Sequence, residues 1–331
     1  MKKYINPKVN TYSLLEFQNK YGTEADCEKA LFHLKWHNGF ICSKCSHNDY
    51  YTIGTRRLHL YQCKHCGHQE TVTTGTIMQN SKLSLTIWFL ALYFIAQNKN
   101  GISEMSLSKY IGVTLKTAWA LLHKVRKAMG YRDALYKLGG NIEMDEVFFG
   151  GNREGKRGGG SENKITVAVS LQVDESIYPK YLKMQVIPDC KGETLNEFAL
   201  SNILKESTIH SDKFKSYYIL KKDYKCDMQK YNPADKSDFL KWVHVMIPNI
   251  KSNIEGTYHG LNNHYLQNYL DEFCYRFNRR NLDIPVFDKL LKCYTTESYL
   301  RVSELWSGRL VPYDTSPPQN RTCGFPAFGS L

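Results

Sequence analysis

Two Cys-x-x-Cys pairs constrain the fold of this 331-residue chain more than any other feature. Cys42 and Cys45 form the first pair, Cys63 and Cys66 form the second, and 17 residues separate the pairs. A tight turn at each pair directs two thiolates to one point, and two such turns complete a tetrahedral four-sulfur site for Zn2+. The intervening residues are rich in β-formers, which predicts neighbouring hairpins. The sequence therefore predicts a zinc ribbon over residues 41–73.

The other six cysteines are scattered, and we expect them to be core or surface thiols. The longest apolar stretch, residues 83–96, is interrupted by polar residues and is too short to cross a bilayer. No apolar run or cleavage site follows the N-terminal lysines, so we expect a cytoplasmic protein with no membrane partner. In the cytoplasm, cysteines are more often metal ligands or free thiols than partners in a disulfide bond.

Positive charge is concentrated in the first part of the chain. The formal net charge is +12, and residues 1–139 hold 19 Lys and Arg against 8 Asp and Glu. Residues 140–331 hold 25 against 24. An N-terminal part this basic is suited to a polyanion, so we predict that it binds double-stranded DNA.

A helix-turn-helix is predicted within residues 102–129. Its first helix runs from Ser103 to Ile111, Gly112 makes the turn, and Thr114 caps the second helix. The face of the second helix opposite its apolar residues carries Lys116, His123, Lys124, Arg126 and Lys127. A basic outer face on the second helix is what entry into the major groove requires. We therefore predict that Lys116, Lys124, Arg126 and Lys127 contact DNA.

After residue 140 the pattern changes from helices to strands. The predicted elements are strands at 141–149, 164–173 and 181–187, a helix at 195–205 and a fourth strand at 207–210. Three strands, a helix and a fourth strand form the ribonuclease-H-like order of an α/β fold, in which the first and fourth strands are neighbours. Residues 221–241 are polar and are predicted to be rich in loops.

Two aspartates are brought to one edge of the sheet by this strand order. Asp145 lies within the first strand, where an unpaired carboxylate is costly, and Asp212 follows the fourth strand. Two carboxylates there can share Mg2+ or Mn2+ ions, which activate water and stabilise the leaving oxygen in phosphodiester cleavage. The pair therefore predicts a metal-dependent enzyme that cuts DNA.

Several blocks of this sequence resemble the bacterial insertion-sequence transposases of the ISXO-like DDE group. They are the zinc ribbon, the helix-turn-helix, Met144-Asp145-Glu146 with the glycine-rich loop after it, Ser211-Asp212, Gly256-Thr257-Tyr258-His259-Gly260 and Arg276-Phe277-Asn278-Arg279-Arg280. The resemblance spans about residues 12–300. It implies an enzyme that binds the terminal inverted repeats of an insertion sequence, cleaves these ends and transfers them to target DNA. It also implies a homo-oligomer in the synaptic complex.

The third metal ligand departs from the usual pattern of the family. Relatives mostly have Glu there, but the matching residues, 242–251, contain no carboxylate. Relatives of this kind commonly have Asn with a downstream Lys, which favours Asn249 as the Mg2+ ligand and Lys251 as the residue that holds the scissile phosphate or its flank. We expect Pro248 to begin the helix and to put Asn249 in its first turn.

Two other residues remain possible third ligands. Lys251 follows His244 by seven residues, which is two turns of an uninterrupted helix, so His244 is the main rival. Imidazole is a poor Mg2+ ligand, which counts against it. Glu255 is a more distant alternative. The missing carboxylate also leaves open a second function, a zinc-ribbon DNA-binding regulator whose α/β domain is not catalytic.

Three arginines complete the predicted site. Arg276, Arg279 and Arg280 lie at or after the end of a predicted helix at 265–277, and guanidinium groups match phosphate geometry. We predict that they clamp the DNA end. The predicted domains are a helical segment at 1–40, the zinc ribbon at 41–73, a DNA-binding region at 77–139, a ribonuclease-H-like catalytic domain at 140–300 and a tail at 301–331.

Overall fold

The computed structural model describes residues 11–54, 57–150, 164–174, 178–230, 239–258, 262–281 and 284–296. The elements of the N-terminal part are α1 (Leu14–Tyr21), α2 (Glu24–Lys35), β1 (Tyr50–Ile53), β2 (Leu60–Cys63), β3 (Gln69–Glu70), α3 (Leu85–Gln97), α4 (Glu104–Ile111) and α5 (Leu115–Ala134). Those that follow are β4 (Asn141–Phe149), β5 (Ile165–Val173), β6 (Pro179–Ile187), α6 (Gly192–Asn202), β7 (Thr208–Asp212), β8 (Lys225–Gln229), α7 (Lys241–Thr257), α8 (Leu266–Asn278) and α9 (Val286–Thr296).

Three features singled out in the sequence lie outside the described residues. They are most of the glycine-rich loop after β4, the His259-Gly260 pair and the tail from residue 301. None of the described helices is long and apolar enough to span a bilayer.

The N-terminal part is built from five helices and a three-stranded antiparallel sheet with the order β1-β2-β3. Its core also contains Phe287, Leu290 and Leu291 of α9, so the last described helix packs back onto the first part of the chain. The apolar stretch at 83–96 lies almost wholly in α3, which begins at Leu85. Ser84 caps α3 by accepting a hydrogen bond from the Ile87 N–H, and the buried Ile77 and Met78 lie in the turns before it.

The helix-turn-helix forms as predicted, but its second helix is not a surface helix. Gly112 ends α4 in the left-handed conformation, with φ 67°, and the Thr114 side chain accepts a hydrogen bond from the Thr117 N–H. Beyond its first turn, every residue of α5 is buried or half-buried, because the helix packs against α4, α8 and α9. The prediction of a basic outer face along this helix is therefore wrong for all but its first turn.

The second sheet has five strands in the order β6-β5-β4-β7-β8. Strands β4, β5 and β6 are antiparallel neighbours, whereas β7 runs parallel to β4 and β8 runs parallel to β7. The α/β fold class and the placement of the fourth strand beside the first are confirmed. The region at 221–241 was predicted as loop but contains β8, a strand with a mixed burial pattern that pairs with β7 at the sheet edge.

Helices cover both faces of this sheet. α6 and the 3-10 helix Lys215–Lys222 share a core with Ile142 and Met144 on one face. α7 and α8 share a core with Val147 and Phe149 on the other face. Successive residues of β4 therefore point to opposite layers, as the pleat of a strand requires.

Candidate active site and metal centres

Asp145 and Asp212 lie on the same face of the second sheet. The parallel strands β4 and β7 pair in the register Asn141↔Thr208, Ile142↔Ile209 and Glu143↔His210. Two residues further along this register, Asp145 is level with Asp212, and side chains two apart on a strand share a face. Both side chains are half-buried, so each can reach a ligand from solvent.

His244 reaches this face from α7. Its Nε2 atom lies 3.3 Å from Oδ2 of Asp145, and the two side chains are 28% and 19% exposed. The expectation that Pro248 begins the helix is wrong, because α7 starts at Lys241 and continues through Pro248 to Thr257. The proline removes only one backbone hydrogen bond within the helix.

Asn249 is exposed, and the helical geometry turns it away from Asp145. Five residues after His244, at 100° per residue, its side chain points roughly 140° around the axis from that of His244. Lys251 is on the same side as His244, and its ammonium group lies 5.9 Å from the ring centroid of Phe149 on β4. Lys251 and Glu255 also line an open surface groove along α7.

Glu146 is an acidic residue of β4 to which the sequence pattern assigns no role. Its carboxylate accepts a hydrogen bond of 2.5 Å from the Tyr217 hydroxyl in the layer opposite α7. Burial raises the pKa of Glu146 to about 7, and the charges of Asp145 and Asp212 act in the same direction. Side chains along β4 alternate between the two faces of the sheet, so Glu146 lies on the same face as Ile142 and Met144, towards α6. This alternation could have indicated an acidic residue on an otherwise apolar face.

The four predicted zinc ligands converge. The sulfur atoms of Cys42, Cys45, Cys63 and Cys66 all lie within 4.8 Å of one another. Cys42 Sγ is 3.6 Å from Cys66 Sγ, and Cys45 Sγ is 3.6 Å from Cys63 Sγ. Tetrahedral zinc with bonds of about 2.3 Å places sulfur atoms about 3.8 Å apart, so the residues fit this metal.

The two knuckles of the ribbon use the same backbone conformation. Gly67 has φ 69°, and Ser46 occupies the corresponding left-handed position of the first knuckle with φ 61°. Within the described ranges, no other set of three His, Cys, Asp or Glu donors is as closely gathered as the four cysteines. Asp145, Asp212 and His244 therefore line one face without closing into such a set.

Of the four predicted DNA contacts on α5, only Lys116 is exposed. Lys124 is buried and its ammonium group donates to the Ile77 carbonyl, while Lys127 is half-buried. Arg126 is fully buried, and it pairs with Glu104 at 3.1 Å and with Glu272 at 2.9 Å. The assignment of Lys124 and Arg126 to a DNA surface is wrong, because both charges are used inside the protein.

The three arginines near the end of α8 also have partners within the protein. Arg276 pairs with Glu272 at 2.6 Å, and Arg279 pairs with Asp133 at 2.7 Å. Arg280 is exposed, stacks on the Phe277 ring, and donates to the Phe277 carbonyl. Arg276 also donates to the Ile95 carbonyl of α3 at 2.9 Å, so Arg276 and Arg279 join α8 to the N-terminal part, and of the three only Arg280 presents an exposed side chain.

Comparisons with known proteins match two parts of the chain, one containing the second sheet and the other containing the four cysteines. Residues 137–278 match the family described as the ISXO2-like transposase domain, and residues 22–69 match the transposase zinc-ribbon domain. The chain is also 25% identical over 218 residues to a protein of the transposable element ISH50 from Halobacterium salinarum, covering 61% of this chain and 71% of that protein.

Proposed function

The chain belongs to the ISXO2-like insertion-sequence transposases with an N-terminal zinc ribbon, and on that premise we propose that it cleaves the terminal inverted repeats of its element and transfers them to target DNA. The observation that carries this proposal is the set of donors on one sheet face. Asp145, Asp212 and His244 come from β4, β7 and α7, and His244 lies 3.3 Å from Asp145.

Asp145 and Asp212 would hold a catalytic Mg2+ or Mn2+, since carboxylate oxygens are the ligands that these ions prefer. A metal held there would supply an activated water and would stabilise the leaving oxygen of the cut strand. We propose His244, rather than Asn249, as the third donor, because His244 faces Asp145. Its imidazole must be neutral to donate an electron pair to a metal.

Lys251 is proposed to hold the phosphate beside the cut. It is two helical turns beyond His244 on the same side of α7, and it lines the open groove along this helix. A lysine ammonium binds phosphate as a point charge and needs no fixed orientation. The groove gives a DNA strand access to the face that carries the donors.

We propose that the N-terminal part holds the DNA end. Residues 1–139 carry +11 of the net charge of +12, and this charge attracts DNA phosphates whatever the base sequence. Lys116 lies in the first turn of α5, which is the part of a recognition helix that meets base edges. The zinc ribbon stabilises this part, and a homo-oligomer would bring element ends together in the synaptic complex.

The experiment that tests the proposal is nicking of a duplex that carries the element's terminal inverted repeat. We expect cleavage by the wild-type chain with Mg2+ or Mn2+ and none with EDTA. Asp145→Asn should bind the duplex and leave it uncut. A wild-type chain that binds this duplex but does not cut it with either metal would be a DNA-binding regulator, and the proposal would be wrong.

A further inference from the structure

Helix α7 begins without a cap from its own residues. The residue before it, Leu240, is in the left-handed conformation with φ 55°, and no side chain at that position accepts a hydrogen bond. The first N–H groups of any helix lack partners inside the helix and must find acceptors elsewhere. This end of α7 carries His244, so whatever holds the first turn also determines where that imidazole lies.

Glu143 of β4 supplies the missing acceptor. Its Oε2 accepts a hydrogen bond of 2.7 Å from the Val243 N–H, and the Trp242 N–H also donates to this carboxylate. Glu143 is only 7% exposed, so water does not compete strongly for these bonds. A carboxylate at a helix N-terminus is also stabilised by the helix dipole, and hydrogen bonds to a charged acceptor are strong.

Strand β4 therefore carries Asp145, a proposed metal ligand, and also Glu143, which caps α7. Helix α7 in turn carries His244, another proposed metal ligand. Glu143 and Asp145 are two residues apart on β4 and share a face of the sheet. Val243 directly precedes His244 in α7. The hydrogen bond from the Val243 N–H to Glu143 therefore joins α7 to β4 close to the 3.3 Å contact between the His244 imidazole and the Asp145 carboxylate.

The far end of α7 is held by other contacts. The Asn253 amide and the Thr257 hydroxyl each donate to the Asn100 carbonyl at 3.2 Å. The Tyr258 hydroxyl donates to Glu272 at 3.2 Å. Loss of the cap would therefore loosen mainly the turn that carries His244, while the other end of the helix keeps its attachment.

We propose that Glu143 is a positioning residue, which fixes His244 beside Asp145 by capping α7 and does not itself bind the metal. This inference rests on the proposed function, because it concerns the third donor of that metal site. A residue that holds a metal ligand in place without binding the metal commonly affects metal affinity nearly as much as some ligands do. Glu143 is buried beneath the backbone of the helix, with its carboxylate already used by two N–H groups.

The test measures Mn2+ affinity by electron paramagnetic resonance of the free ion, with the zinc-loaded full chain and no DNA. We expect Glu143→Ala to weaken Mn2+ binding by roughly 10- to 100-fold. Glu143→Gln keeps an oxygen that can accept from the Val243 N–H and should restore most of the affinity. Should the alanine variant not fold, Glu143→Asp replaces it, since its shortened carboxylate cannot reach the Val243 N–H.

Glu24 provides a matched control. Its carboxylate accepts hydrogen bonds from the Leu85 and Thr86 N–H groups, at 3.0 and 3.2 Å, and so caps α3 in the N-terminal part. Glu24→Ala should lower the unfolding temperature as the loss of a helix cap does, and should leave the Mn2+ affinity unchanged.

Two outcomes would overturn the inference. If Glu143→Ala binds Mn2+ as tightly as the wild type, the cap does not position His244. If Glu143→Gln binds as weakly as Glu143→Ala, the negative charge itself is needed and Glu143 acts as a metal ligand. Failure of the proposed function is distinguishable, because Asp145→Asn would then bind Mn2+ like the wild type.

Discussion

His244 Nε2 lies 3.3 Å from Oδ2 of Asp145, and this contact joins β4, the central strand of the five-stranded sheet, to α7, which packs against it. Asn249 lies on the same helix but is exposed on another side. The two candidates for the third ligand are thus separated by helical geometry, although the sequence places them only five residues apart.

The first prediction concerns these two residues. His244→Ala should reduce nicking of the inverted-repeat duplex by about two orders of magnitude, because it removes a donor from the metal site. Asn249→Ala should cut within roughly twofold of the wild type, since an exposed side chain without a role changes little. The opposite result, with Asn249→Ala inactive and His244→Ala active, would show that Asn249 is the ligand.

The second prediction concerns the two aspartates. Asn substitution at Asp145 or Asp212 keeps the size of the side chain and removes its charge, so the fold and DNA binding should survive. Cleavage with Mg2+ and with Mn2+ should fall by orders of magnitude, because the metal loses a carboxylate ligand. Circular dichroism and a gel shift provide the controls. Wild-type cleavage by both variants would contradict the mechanism.

The third prediction concerns zinc. Elemental analysis should find one Zn2+ per chain, and Cys63→Ser should release it, because the four-sulfur site needs every thiolate. Loss of the metal should loosen the edge-to-face contact between Trp36 and Tyr61, whose ring centroids lie 5.1 Å apart, and so change tryptophan fluorescence. Cys190→Ser is the matched control, since Cys190 is outside the cluster and should leave zinc bound. A zinc-free wild-type chain would exclude the ribbon site.

The fourth prediction concerns the buried ion pair between α5 and α8. Glu272→Gln should lower the free energy of unfolding by about 3–5 kcal/mol, because it leaves the Arg126 guanidinium buried without its main counter-charge. Asp223→Asn breaks an exposed pair with Lys205, 3.2 Å apart, and should cost less than about 1 kcal/mol. Denaturant unfolding of both variants measures the difference. Equal, small losses would mean that the buried pair does not hold these helices together.

The fifth prediction concerns acid stability. Burial and the positive charge of Arg126 lower the pKa of His123 to about 3, although the Glu272 charge acts in the opposite direction. The unfolded chain takes up this proton below about pH 6.5, while the folded chain does not, so stability falls as the pH decreases from there toward 3.

At about pH 5 this difference costs about 2 kcal/mol. His123→Gln cannot take up the proton, so between about pH 7 and pH 5 it should lose less unfolding free energy than the wild type. Denaturant unfolding at the two pH values measures both losses, and other acidic groups contribute equally to each chain. Identical losses in wild type and variant would show that His123 does not resist protonation.

Some features of this protein could be predicted because they depend on residues close together in the chain. Two residues separate the cysteines of each knuckle, and this spacing alone directs both sulfur atoms to one metal. Gly112 and Thr114 end one helix and begin the next through local hydrogen bonds. The aspartates could be paired because the order of strands and helix restricts which strands are neighbours.

The sequence by itself therefore determined the zinc ligands, the α/β class and the pairing of Asp145 with Asp212. Only the tertiary structure decided that Arg126 is an internal charge and that His244, not Asn249, lies beside Asp145. Both outcomes depend on distant partners. Glu104 and Glu272 neutralise Arg126 within the core, and Glu143 sets the start of α7 and hence the side of the helix that faces the sheet. Local patterns carry no signal for such contacts, because the burial of a helix face depends on which elements pack against it.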